Sequence, residues 1–240
     1  IQTHIGISFD HFYGLEKAYK ALFVAKAQHQ PFATYSEFAN ILMSENEEAI
    51  ESMMKSAIES GQIVLHFQSI VDHNEQPFYY EALLRLVYHQ TLQSPKLFLK
   101  IAKERHFYDT LFESIANKVA EFSVQTGLRL ALNLAAEDLL DAHHVDYLKN
   151  CFSGKNIVLE VYCEKDSPFE ALKKVILELK QAGIMIALDN VKTPELIEAF
   201  KEGTIDVIKV HGDLIRNLAL DETAQRTCQK MVELAKQKKI

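Results

Sequence analysis

Five side chains along this chain are of the types that metal-assisted phosphate chemistry requires. Glu81, Asn133, Glu160 and Asp189 offer hard oxygen donors, and Lys209 offers an ammonium. Mg²⁺ and Mn²⁺ take carboxylate and amide oxygens, keep some waters and leave positions for a substrate oxygen. A lysine beside such an ion can neutralise phosphate charge or orient an attacking water. Each of the five belongs to a different apolar run. Glu81 lies in YYEALLRL, Asn133 ends LRLALN, Glu160 ends IVLE, Asp189 ends IMIALD and Lys209 ends IDVIK. Polar residues also end strands with no chemical role, and for any one of these residues that reading is the stronger. It is the repetition at five matching strand ends that singles out a site.

The elements that must carry these residues follow from hydrophobic rhythm. After Gly61, strand-like runs at 63–71, 78–88, 128–134, 156–162, 184–188 and 205–209 alternate with helical patterns near 95–106, 110–125, 143–151, 167–182, 193–202 and 221–238. Runs such as LRLALNL and IVLEVY are almost continuously apolar, as parallel strands covered on both faces are. Repeated β-α units form either a doubly wound sheet or a (β/α)₈ barrel, and a barrel gathers its site at the carboxyl ends of its strands. Ahead of Gly61, residues 1–9 read as a strand. Residues 14–27 read as an amphipathic helix with Leu15, Ala18, Leu22 and Ala25 on one stripe, and 36–60 as a helical connector with Ser44 as N-cap and Glu47 at the capping-box position.

Composition narrows the function classes. With 240 residues, 48% hydrophobic, the chain can bury one large core, or a core plus a smaller neighbour. A net charge of −7 argues against general affinity for nucleic-acid backbones, which rests on clustered Lys and Arg. Three cysteines without metal-type spacing suit a reducing compartment. No apolar run approaches the ~20 residues that span a bilayer, and no signal peptide opens the sequence. A cytoplasmic location is the expectation, with no membrane segment in this chain.

The motifs carry a resemblance. YYEALLRL, with Glu81-Ala82-Leu83-Leu84-Arg85 intact, resembles the signature of the EAL family. LHFQSIVD (65–72) looks like the family's "YQPIVD" strand, with Gln68 kept and Ser69 in place of Pro. SPKLFLKIAKE is similar to "SPxxFIxxAE", LALNLAAEDL to "xSVNLSxxxL", IVLEVYCE to "LxLEITE", and IDVIKVHGDLIRNL to "xDxxKIDxSFVxxL". Order and spacing agree over residues 61–240. At the other end, IGIS with KALFVAKAQHQ resembles the closing segment of a GGDEF, diguanylate-cyclase-type domain, whose GTP-binding loop would lie before Ile1.

The resemblance implies a (β/α)₈ TIM-type barrel over residues 44–240, behind a small N-terminal α/β fragment at 1–43. It implies hydrolysis of cyclic di-GMP to pGpG with two Mg²⁺ or Mn²⁺ ions. Glu81, Asn133, Glu160 and Asp189 match the metal ligands, Lys209 the lysine that contacts the nucleophilic water, Arg85 the phosphate-side arginine and Gln68 a ligand contact. The family's last strands would lie beyond Ile240, so the barrel is expected to be incomplete here.

Departures from the pattern point to impaired chemistry. Where the family has "DDFGTGYSSL", this chain has Asp189-Asn190-Val191-Lys192-Thr193-Pro194. Asn190 stands where a second carboxylate would bind the second metal, and an amide brings N–H donors that a cation repels. Loss of one ion of a two-metal clamp removes stabilisation of the attacking or leaving oxygen. Cys163 replaces the glutamate expected three residues after Glu160, and Glu164 comes one position late, which in a strand turns it to the other face. The leading expectation is a degenerate EAL module that binds cyclic di-GMP or a partner protein, or homodimerises, with little or no hydrolysis and Glu81 and Lys209 vestigial. A receptor of this kind needs no metal. A slow Mg²⁺/Mn²⁺ phosphodiesterase and a nucleotide-independent scaffold are the rivals. His143-His144 read as surface residues, since adjacent histidines on a helix diverge by about 100°. Cys163 reads as structural.

Overall fold

The apolar runs become a central sheet because their side chains alternate between two covered faces. The structure, a computed structural model, describes residues 4–9, 14–27, 29–35, 47–88, 91–93, 95–164, 166–216 and 218–240. Backbone contacts divide the chain into two compact units, Ile1–Leu65 with Leu84–Leu111, and His66–Leu83 with Phe112–Ile240. The boundary expected between residues 43 and 44, and the Ser44 cap, lie outside the described residues.

In the first unit, β1 (Ile5–Ile7) and β2 (Phe32–Thr34) pair in parallel across α1 (Gly14–Ala27). Gly6 allows that helix to approach: a Cβ there would stand 1.9 Å from the Ala18 carbonyl oxygen. The expected stripe on α1 needs one correction. Leu15 is 88% exposed; Ala25 of that stripe is buried as expected, and Ala21 and Val24 are buried beside it. Helix α2 (Glu47–Glu59) buries Met54 and Ala57 and packs on α3 (Pro95–Glu104), which buries Phe98 and Ala102. Short strand β5 (Thr91–Gln93), which periodicity did not reveal, pairs antiparallel with the end of β4 (Pro77–Tyr88).

Most of the sheet that matters for function belongs to the second unit. Its strand order is β3 (Ile63–Val71), β4, β6 (Leu130–Ala135), β7 (Ile157–Tyr162), β8 (Met185–Val191) and β9 (Val207–Val210). From β4 to β9 every neighbouring pair is parallel, and the path is open, not closed into a complete barrel. The helices between are α4 (Tyr108–Thr126), α5 (Ala142–Phe152), α6 (Phe169–Gln181), α7 (Pro194–Glu198), α8 (Gly212–Arg216) and α9 (Glu222–Gln237). Helix α7 is much shorter than the 193–202 pattern suggested. Leu172, Ile176 and Leu179 of α6 recur at helical spacing and are fully buried. On one face of the sheet, Tyr79, Ala131, Val158 and Ala187 form a buried layer with Ile70, Met185 and Val207 packed against it.

Two further corrections concern the histidines and the strand ends. His143 is exposed and pairs with Glu113 at 2.9 Å, but His144 is 4% exposed and stacks on Phe112 with ring centroids 4.0 Å apart. The helix turns it inward, so only the first of the pair is a surface residue. Strand β8 runs three residues past its expected end, through a bulge. Leu188 pairs with Ile208 and Val191 with Val210, so Asp189 and Asn190 together oppose Lys209. Asn190 takes φ 61°, a left-handed conformation that asparagine tolerates better than most residues.

Candidate functional site

Strand register explains why five residues far apart in sequence meet. Glu81 pairs with Ala131, Asn133 with Glu160, Glu160 with Ala187, Tyr162 with Asp189, and Ala187 with Val207. Side chains alternate along a strand. Glu81, Asn133, Glu160, Asp189 and Lys209 therefore share the face of Tyr79, Ala131, Val158 and Ala187, one step nearer the carboxyl ends. The apolar layer is the floor and the polar layer stands on it.

Lys209 joins the group. Its Nζ donates to Glu160 Oε2 at 2.5 Å and to Glu81 Oε2 at 3.1 Å, and lies 3.6 Å from Asp189 Oδ1. Asn133 Nδ2 donates to Glu81 Oε1 at 2.7 Å. Tyr79 OH donates to Glu160 Oε1 at 2.9 Å. Side-chain exposure grades across the group, from 0% for Glu160 and 15% for Glu81 to 23% for Lys209 and 30% for Asp189. Burial pushes the Glu160 carboxyl above its ordinary range, against the pull of Lys209 and Tyr79. Burial would lower the Lys209 ammonium, but Glu160, Asp189 and Glu81 outweigh it and hold it above its ordinary value. Burial and the Glu160 carboxylate push the Tyr79 hydroxyl far up, so it stays a donor.

The sequence reading did not single out Tyr79. Its signal was present: it lies two residues before Glu81 and so on the same strand face. Asp206 was missed as well, three residues before Lys209 in IDVIK. Of the two expected ligand contacts, Gln68 is exposed on β3, two residues from Ile70 and on that residue's side of the strand. Arg85 belongs to the first unit, where its guanidinium donates to the Leu84 carbonyl at 2.7 Å. Neither takes part in the hydrogen bonds around Lys209 described above.

Asn190 leads into a second feature of the same sheet end. A pocket of about 570 Å³ is lined by Tyr162, Cys163, Glu164, Phe169, Asn190 and Lys192, with Thr193, Glu195 and Leu196. Burial raises the Cys163 thiol to about 11, which keeps it an inert neutral thiol at ordinary pH. Glu164 is exposed, and its backbone N–H donates to Ser167 Oγ at 2.9 Å.

The profile of the EAL domain matches residues 51–240. The chain belongs to the EAL family. Solved structures agree on the fold. The PaMucR phosphodiesterase in complex with c-di-GMP is similar at a TM-score of 0.67 and 20% identity, over 80% of this chain and 84% of that one. The FimX EAL domain from Pseudomonas aeruginosa bound to c-di-GMP gives 0.64 and 21%, over 79% and 82%. Vibrio cholerae LapD S helix-GGDEF-EAL, also bound to c-di-GMP, gives 0.69 and 14%, over 97% of this chain and 60% of that one. Among curated protein sequences none matches.

As donor types, the oxygens of this EAL domain suit a hard divalent cation: three carboxylates and one amide, with a single ammonium as countercharge. As placed, no three His, Cys, Asp or Glu side chains among the described residues form a metal-binding group. The Lys209 ammonium bridges the carboxylates instead. No helix among the described residues is long and apolar enough to cross a membrane.

Proposed function

We propose that this EAL domain is a cyclic di-GMP receptor with little or no hydrolytic activity. One observation carries the reading: Glu81, Asn133, Glu160, Asp189 and Lys209 converge on one face at the carboxyl ends of parallel strands. That is where ligands of such folds bind. Relatives of the same fold are bound to c-di-GMP, which supports the nucleotide as ligand. Asn190, in place of the family's second carboxylate, and Lys192-Thr193-Pro194, in place of its glycine-bearing loop, favour binding over turnover. Lys209 favours it too. An ammonium engaged by three carboxylates already offsets much of the charge that would draw in a cation.

If Mg²⁺ or Mn²⁺ binds, Glu81, Asn133, Glu160 and Asp189 would hold it, and it would polarise a phosphate oxygen. The chain's own residues have other tasks. Tyr79 and Lys209 orient Glu160, and Asn133 orients Glu81. The survival of all four donors supports a second reading, a slow phosphodiesterase giving pGpG. For residues 1–43 we infer the tail of a GGDEF-like domain. The parallel β1-α1-β2 unit supports this, as does similarity to a GGDEF-EAL protein over 97% of the chain.

Calorimetric titration with cyclic di-GMP, with Mg²⁺ and again in EDTA, tests the proposal. Binding is expected in both buffers, without appearance of pGpG. Arg85→Ala should weaken it roughly ten- to a hundred-fold, as loss of a charge-assisted phosphate contact does, whereas Glu81→Gln should leave it near normal. Absence of binding at high micromolar nucleotide in both buffers would sink the receptor and leave the scaffold reading, and robust Mg²⁺-dependent turnover would establish the enzyme.

A further inference from the structure

We propose that Asp206 is a positioning residue that fixes the register of β9 and thereby keeps Lys209 among the carboxylates. Strand β9 has four residues and, among the described residues, pairs on one side only, with β8. So short a ladder, interrupted by a bulge, specifies register weakly, and a slip of one residue would turn Lys209 to the opposite face.

Asp206 stands just before β9 and pins it. Its backbone N–H donates to the Ile186 carbonyl at 2.8 Å, and its Oδ2 accepts the Ile186 N–H at 2.7 Å. Its Oδ1 is paired with Lys180 Nζ, in the last turn of α6. One carboxylate thus ties helix α6, strand β8 and strand β9 together. Both side chains of the Lys180–Asp206 pair are 23% exposed, so solvent screens the pair only in part. Beyond the bulge the strand is pinned again, where the His211 N–H donates to the Val191 carbonyl at 2.9 Å. With both ends fixed, Lys209 has to oppose the Asp189-Asn190 bulge.

The inference deepens the proposed function, because Lys209 lies at the heart of that reading, but its test needs no nucleotide. Nitrogen-15 spectra of the lysine ammonium groups show hydrogen-bonded ammonium groups through their slow proton exchange. The Lys209 signal should be present in the wild type and lost in Asp206→Ala. Asp206→Asn keeps an acceptor for Ile186 but exchanges a charge-assisted contact for a neutral one. It should retain the signal with exchange roughly three- to ten-fold faster. Leu172→Ala, a buried change in α6, controls for destabilisation alone and should leave Lys209 unchanged. An unaltered Lys209 signal in Asp206→Ala, or equal loss in Leu172→Ala, would overturn the proposal. Should Asp206→Ala fail to fold, Asp206→Asn decides, and unchanged exchange there overturns it.

Discussion

Two neighbouring regions at one end of the sheet have been built in opposite ways. Around Lys209, every charged group meets an opposite charge or a donor, on a floor of Tyr79, Ala131, Val158 and Ala187. Around Asn190, one strand away, the chain leaves an open pocket of mixed lining, with an exposed Tyr162 ring and Lys192. The first region rests on strand interiors, the second on the residues that follow the bulge in β8. Strand interiors are held by register and burial together, so change there is costly. A loop after a bulge has neither constraint, so substitution there is tolerated with less effect on the group beside it.

The comparison breaks most readily at Lys209. Lys209→Met leaves three carboxylates, one of them fully buried, without a countercharge. Removing one partner of a buried ion pair costs about 3–5 kcal/mol, so urea unfolding should show a loss of that order. Glu160→Gln in the same background should recover part of it. If Lys209→Met is as stable as the wild type, the group is not the closed electrostatic unit described here.

Tyr79→Phe removes one donor to Glu160 and keeps the ring in the floor. A hydrogen bond to a charged group contributes roughly 1.5–3 kcal/mol, and the variant should fall in that range by the same measurement. Stability should also depend on pH through Glu160. Its folded pKa lies above its ordinary 4.5, so the folded chain binds the proton more tightly than the unfolded one. The contribution is complete below 4.5 and is lost as pH rises through the folded value. Lys209 behaves likewise at the alkaline end: its contribution is complete below 10.5 and lost as pH rises through its raised folded value. Glu160→Gln should abolish the weak-acid step in a pH series of unfolding free energies and shrink the alkaline one, because Glu160 leads the groups that raise Lys209.

Much of this was legible in the sequence, and what was not has physical reasons. Apolar runs located the six strands of the central path to within a few residues, because burial on both faces leaves a continuous signal. The five residues at strand ends were visible because a period of two places them on one face. Leu15 misled because a stripe drawn by spacing alone runs on to the first turn of a helix, where that residue faces away from the core. His144 misled because adjacency on a helix says where two residues diverge, not which one points inward. The bulge at Asp189-Asn190 left no periodic trace. The bulge sets Asn190 among the residues that line the pocket beside Cys163 and Lys192, a placement that periodicity does not show.

The smallest effects belong to the bulge, and they sharpen the comparison most. Asn190 holds φ 61° in β8, where glycine pays no steric penalty and a β-branched residue is strained. Asn190→Gly should therefore leave stability within about 0.5 kcal/mol, while Asn190→Val should cost roughly 1–2 kcal/mol, the penalty of a left-handed conformation. The consequences for the group are the finer test. Asp189 and Asn190 oppose Lys209 together, so a valine that flattens the bulge would re-aim Asp189 and loosen its 3.6 Å approach to Lys209. The contacts of Lys209 with Glu160 and Glu81, which rest on other strands, would remain. A crystal structure of Asn190→Val should then show Asp189 displaced and Glu160 in place. Asn190→Asp is the complementary probe. It restores the family's carboxylate pair in sequence, but from a position that lines the pocket, so it should raise Mg²⁺ affinity only slightly in a calorimetric titration. A large gain in metal binding from that single change would mean that the bulge turns to present both residues to one ion, and that the two regions act as one site.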